Sequence, residues 1–204
     1  MKKTFSMMLM MCCTAALMLT SCNDDNSGNT MSDSDAKITI DEMQGTYQGV
    51  LYAKIDSRDT MKINLTCVVD SVIKLQFPDT LLANTTSNRA LQMALNAAND
   101  SRELKVKYLM GGWYDSSHTT SFLYFFPESI VKENLLVSDT HHKVTFAFYT
   151  GVDSPGLFFR QSGALNFEMT VGGIYYDDKL QSDLNRRLTF YFKGTKLRHS
   201  TQDV

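Results

Sequence analysis

The side chains able to do chemistry are few and scattered. His141 and His142 are adjacent, while His118 and His199 stand alone. Neighbours on a strand point to opposite faces, so His141 and His142 do not converge on one ion. No Cys-x-x-Cys or His-x-x-x-His spacing occurs, and a structural zinc needs such close-set ligands. Calcium needs an oxygen-rich loop. Asp177-Asp178 offers two acids without that spacing and reads as a solvated turn. No metal and no cofactor is expected. "RQSGALN" puts Ser162 before one glycine but lacks the other glycine of a nucleophile elbow. Cys67, among Leu65, Val68 and Val69, reads as a buried inert thiol. Glu168 in "FEMTV" reads as an outward charge on a strand. Carboxylates paired only in space leave no local pattern, so no catalytic residue and no enzyme class is assigned.

One cysteine has a context of its own. Lys2 and Lys3 precede an apolar stretch from Phe5 to Leu19. That stretch falls short of the about 20 residues that span a membrane and has the layout of a secretory signal peptide. Leu19-Thr20-Ser21-Cys22 resembles the lipobox of bacterial lipoproteins. The resemblance implies cleavage before Cys22, a diacylated Cys22 thiol and an acylated new amino group. Residues 1–21 are then the signal peptide. Residues 22–35, with Asp24, Asp25, Asp33 and Asp35 and no basic residue, form a tether. They bury too little apolar surface to offset the entropy of ordering. Acid directly after the acylated cysteine resembles the surface-export signal of Bacteroidetes-type lipoproteins. It implies lipid attachment to the outer membrane, on the cell surface rather than the periplasmic face.

A second pattern repeats three times. "DTM" (59–61), "DSV" (70–72) and "DTL" (79–81) each read Asp, Ser or Thr, apolar residue. They resemble the acceptor motif for protein O-glycosylation in Bacteroidetes-type exported proteins, which implies Thr60, Ser71 and Thr80 as acceptors. Asp-Ser and Asp-Thr are also ordinary turn residues.

The elements that must position these groups are mostly strands. Residues 36–204 read as a single β-rich domain, long enough for a real core. Without Lys2 and Lys3 the chain has 18 basic against 22 acidic residues and no basic stripe, so no nucleic-acid partner is expected. Cys12 and Cys13 leave with the signal, and Cys67 has no internal partner for a disulfide. Thr39 and Glu42 have capping-box spacing for a short helical turn over 40–44. "TYQGVLYAKI", "DTMKINLTCVVD" and "SVIKLQF" predict a three-strand meander. "SNRALQMALNAAND" predicts one amphipathic helix over 88–98, and Pro127 with Glu128 a short helix in "PESIVKENLL". The predicted inward rows are Met61/Ile63/Leu65, Val144/Phe146/Phe148 and Leu188/Phe190/Phe192. "MGGWYD" and "VGGIYYD" share a Gly-Gly, aromatic-pair, acid layout. Twisted, bulged strands require it, or two hairpins present Trp113, Tyr114, Tyr175 and Tyr176 at one rim.

Eight or nine strands with one mid-chain helix predict a mainly β domain, an antiparallel barrel or coiled sandwich. "MQGTYQGVLYAKI" is similar to the first-strand opening of lipocalin-like bacterial lipoproteins. That likeness implies Gly45 as the bend and Tyr47 as the aromatic filling the barrel base. Lipobox, acidic tether and this opening together resemble a family of lipoproteins of unknown function from Bacteroidetes-type bacteria. The expected function is a non-catalytic, outer-membrane-anchored envelope component that binds a ligand or a partner protein. The alternative is a glycan- or peptide-acting hydrolase with carboxylates assembled in space. Bulky inward rows predict a packed interior, with binding confined to a cleft near the four rim aromatics.

Overall fold

A computed structural model describes residues 30–55, 58–98, 100–149, 156–181 and 188–197, the side chains of 58–60 excepted. Helix α1 (Asp33–Met43) leads into strands β1 (Gly45–Ile55), β2 (Arg58–Val69) and β3 (Ile73–Pro78). Then come α2 (Asp79–Leu82), a 3₁₀ turn (Ala83–Thr85) and α3 (Arg89–Ala98). Strands β4 (Ser101–Trp113), β5 (Thr120–Pro127), β6 (Ile130–Val137) and β7 (Thr140–Phe148) follow. The last are β8 (Gly156–Phe159), β9 (Ala164–Tyr176), β10 (Lys179–Gln181) and β11 (Leu188–Lys196).

Eight of these close an antiparallel barrel. The meander β1-β2-β3-β4-β5 continues through β8 and β9 to β11, and β11 pairs back onto β1. The domain is therefore a barrel and not a sandwich. Closure removes the outer edges of the eight-stranded sheet, although β2 meets β3 only over Cys67–Val69. Strand β9 outlasts the barrel. Its first half, to Thr170, lies between β8 and β11, and its second half pairs with β7 and β10. With β6 beside β7, this second sheet covers one barrel end together with α2 and α3. Helix α1 covers the other end, where Gly45 bends at φ +140° and fully buried Tyr47 donates to the Met43 carbonyl at 2.7 Å.

The interior is filled by side chains. Phe77 meets Phe190 edge-on at 4.7 Å, and Phe167 lies 4.9 Å from Phe125 and 5.1 Å from Phe192. Gly49 and Gly194 face each other across β1 and β11, and a Cβ on either would collide with the Phe192 ring. Leu188, Phe190 and Phe192 form an inward row as expected, and Ile63 and Leu65 pack against it half-buried. Met61, at the end of the β2 row, is 38% exposed. Val144, Phe146 and Phe148 are buried, but in the covering sheet, where Phe148 packs edge-on against Phe77 at 6.4 Å.

Two expectations are corrected, the start of α1 and the segment after Pro127. Helix α1 starts at Asp33, inside the stretch expected as tether and well before residue 40, because the Ser32 hydroxyl caps it by accepting from the Asp35 amide at 3.2 Å. Helix α3 falls where the periodicity placed the mid-chain helix, with the short α2 just before it. The segment after Pro127 is strand β6, not a helix. Each Gly-Gly pair is a bulge within one strand, the first of the two readings offered for them. Gly111 is the extra residue between the Met110–Leu123 and Gly112–Phe122 pairs, and Gly172 plays that part opposite β7.

Candidate functional site

Under α1, the ends of β4, β8 and β11 and one loop bring chemistry together. Arg160 follows β8 and donates to both carboxylate oxygens of Glu42, at 2.5 and 2.6 Å. Its guanidinium lies 5.4 Å from the ring of Trp113, the last residue of β4, and donates at 3.4 Å to the His118 carbonyl. His118, in the β4–β5 loop, stacks on the same ring at 4.8 Å. Lys196 ends β11 and donates to the Glu42 carbonyl at 2.7 Å, against the helix C-terminus where a cation is favoured. The Arg160 hydrogen bonds hold the Glu42 carboxyl below its ordinary range. Asp115 anchors the loop by accepting from the Thr119 and Thr120 amides and the Ser117 and Thr119 hydroxyls, which lowers its pKa strongly.

An open groove of about 630 Å³ runs beside this cluster, lined among others by Glu42, His118, Arg160, Gln161, Ser162 and Lys196. Glu42 is the one carboxylate in its lining, and Arg160 occupies it. Ser162 is a turn residue that accepts from the Ala164 amide at 3.3 Å. The cluster itself is a clamp, since Arg160 ties α1 to the β8–β9 turn across the Trp113 ring.

The four aromatics expected at one rim do not share one. The pairs Trp113–Ser121, Ser121–Phe158 and Phe158–Leu165 put Trp113 level with Leu165, at the α1 end. Tyr175 lies ten residues further along β9, roughly 33 Å on at strand rise. Trp113 is buried under Arg160 and His118, and Tyr114 is 63% exposed. Tyr175 and Tyr176 are half-buried in the covering sheet. There Tyr176 lies 5.5 Å from the His142 ring, and its hydroxyl is 3.5 Å from the Asn88 amide at the start of α3. His142 meets Asp177 at 2.8 Å, and Asp177-Asp178 is the left-handed two-residue turn of the β9–β10 hairpin. His141 turns away to the Asn134 carbonyl.

The other expected sites fall as follows. Cys22 lies outside the described residues, and Thr60 sits on β2 outside the described side chains. Ser71 is exposed in the β2–β3 turn, beside Asp70. Thr80 is flanked by Asp79 and Leu81, which are 0% and 1% exposed, so its motif is largely inside the protein. Cys67 is buried, and burial pushes its thiol up to about 12. Among the described residues no three His, Cys, Asp or Glu side chains group to hold a metal, and no helix is long and apolar enough to cross a membrane.

Two polar contacts escaped the sequence, one partly exposed and one buried. Glu42 and Arg160 are one, far apart in the chain. The other joins Lys132 of β6 to Asp79 of α2, both essentially without exposure, with Asp100 at 3.8 Å from the ammonium. Neither has a local motif. One family model, described as a domain of unknown function (DUF4840), matches residues 42–176. No curated protein and no solved structure matches the chain.

Proposed function

We propose, from the premise that this chain belongs to the DUF4840 family, that it is a lipid-anchored component of the outer-membrane envelope which binds a ligand or partner protein on its outer surface and catalyses no reaction. The filled barrel carries this reading. An eight-stranded barrel is wide enough to hold side chains or one small ligand, and here Phe77, Phe125, Phe167, Phe190 and Phe192 take the space. Recognition is left to the outside of the molecule. The hydrolase reading would need two converging carboxylates, whereas the α1 groove offers Glu42 alone, held by Arg160. The anchor rests on the resemblance of Leu19-Thr20-Ser21-Cys22 to a lipobox, with acid after it. Ser71, on an exposed turn, is better placed as a glycan acceptor than Thr80.

The test is Cys22→Ala in the native host, with metabolic acyl labelling, membrane fractionation and protease treatment of intact cells. The unaltered chain is expected to take label, sediment with the outer membrane and be trimmed from outside, and the variant to lose label and sedimentation. A variant that still labels and sediments would refute the anchor.

A further inference from the structure

We propose that the outer face of β11, β1 and β2 binds an acidic polysaccharide carrying uronic-acid carboxylates. This deepens the surface-binding reading above and rests on it, though not on the anchor. Strand pairing lays nine outward side chains in three rows. The first is Lys62, Tyr52 and Tyr191, the second Asn64, Val50 and Lys193, and the third Thr66, Gln48 and Thr195. Their neighbours along the strands, among them Leu51, Ala53, Cys67, Phe190 and Phe192, point inward and are buried. The grid measures roughly 13 Å along the strands and roughly 10 Å across them.

Each row supplies part of what a charged sugar needs. Tyr52 and Tyr191 stand side by side, and an aromatic face matches the C–H face of a pyranose. Lys193 and Lys54 hold their ammonium groups 5.2 and 5.9 Å from the centre of the Tyr191 ring. Lys193 lies two residues beyond Tyr191, and Lys54 is paired with Thr189, two residues before it, so the cations flank the ring along the strand. Lys62 is exposed and enters no ion pair among the described residues. Below them, a groove of about 480 Å³ is lined by Gln48, Val50, Asn64 and Thr195 with Lys196. Amides and hydroxyls there suit sugar hydroxyls, which both donate and accept. Glu168 of β9 is paired with Tyr191 and bounds the patch on that side. Asp59 of β2 is paired with Lys54 at the upper margin, so the cations within the grid itself are Lys62 and Lys193, on a chain of net charge −2. The face has no bulky apolar wedge for a membrane and no stripe of cations dense enough for a nucleic-acid backbone.

The test is affinity electrophoresis of the full-length chain in detergent, through gels containing polygalacturonate, dextran or double-stranded DNA. Retardation is expected with polygalacturonate only. Tyr191→Ala, Lys193→Glu and Lys62→Glu are each expected to weaken it about fivefold, and Tyr191→Phe and Tyr114→Ala to leave it unchanged. Circular dichroism checks that each variant is folded, and Lys62, being exposed, keeps the test open if Tyr191→Ala is not. No retardation, equal retardation by dextran or by DNA, or retardation indifferent to Lys62→Glu would overturn the proposal. Such a failure would leave the surface-binding reading standing, whereas a ligand found inside the barrel would sink that reading without involving this face.

Discussion

Four carboxylates are held in their charged form by different local means. Asp70 is lowered to about 2 by the Lys74 ammonium and the Val72 amide. Asp115 is lowered by the hydroxyls and amides of its loop, Glu42 by Arg160, and Asp177 by His142 and the Lys143 amide. A carboxylate whose folded pKa lies below its unfolded value adds stability that is fully present above the unfolded value, about 4, and is lost as pH falls through the folded value. The urea midpoint is therefore expected to hold steady from neutral pH to about 5 and to fall progressively toward pH 2. Denaturation series at pH 7, 4 and 2.5 measure this, and Asp115→Asn should flatten the acid limb. A midpoint unchanged at pH 2.5 would contradict the assignment.

The connection between elements that is most sensitive to single changes is the buried pair between β6 and α2. Removing one partner strands a charge that burial has cut off from water. Lys132→Ala is therefore expected to destabilise by about 3–5 kcal/mol. Asp79→Leu with Lys132→Met replaces the pair by packing and is expected to recover most of that loss. If chemical denaturation shows the double variant as weak as the single one, the pair is a net contributor and not a matched cost. The same strand explains why the sequence misled at this point. Lys132 and Leu135 both face inward, at a spacing of three, because a bulge with Asn134 at φ +57° absorbs the intervening residues. The bulge breaks the alternation that would mark a strand, while Pro127 and Glu128 imitate the first turn of a helix. Strands β1 to β3 and β11 were legible because they alternate over most of their length, β2 from Met61 to Val69. Helix α1 was not, since Ser32 and its aspartates look like solvated spacer until the helix docks. The clamp had one visible member, Glu42, and its partner Arg160 is joined to it by barrel closure alone.

At the scale of the molecule, a filled barrel predicts indifference to apolar ligands. Trp113 is the only tryptophan and is buried against the barrel end, so its emission reports on entry from the α1 side. Titrating the full-length chain in detergent with long-chain fatty acids is expected to leave that emission unchanged. A saturable, stoichiometric response would show that the interior opens. The barrel also has an unusual clasp. Strand β11 pairs with β1 from Tyr47–Lys196 to Ile55–Leu188, residues 133 to 149 positions apart, and it is the piece that joins β1 to β9. Joining such distant segments costs loop-closure entropy before any contact repays it, and topologies of this kind fold slowly. Until the last strand has been made, β1 and β9 each present a bare row of amides and carbonyls. A ribosome delivering this chain thus holds back the latch until the end. The nascent barrel stays open until β11 has been made, and for that interval its two unpaired edges lie bare to any other strand.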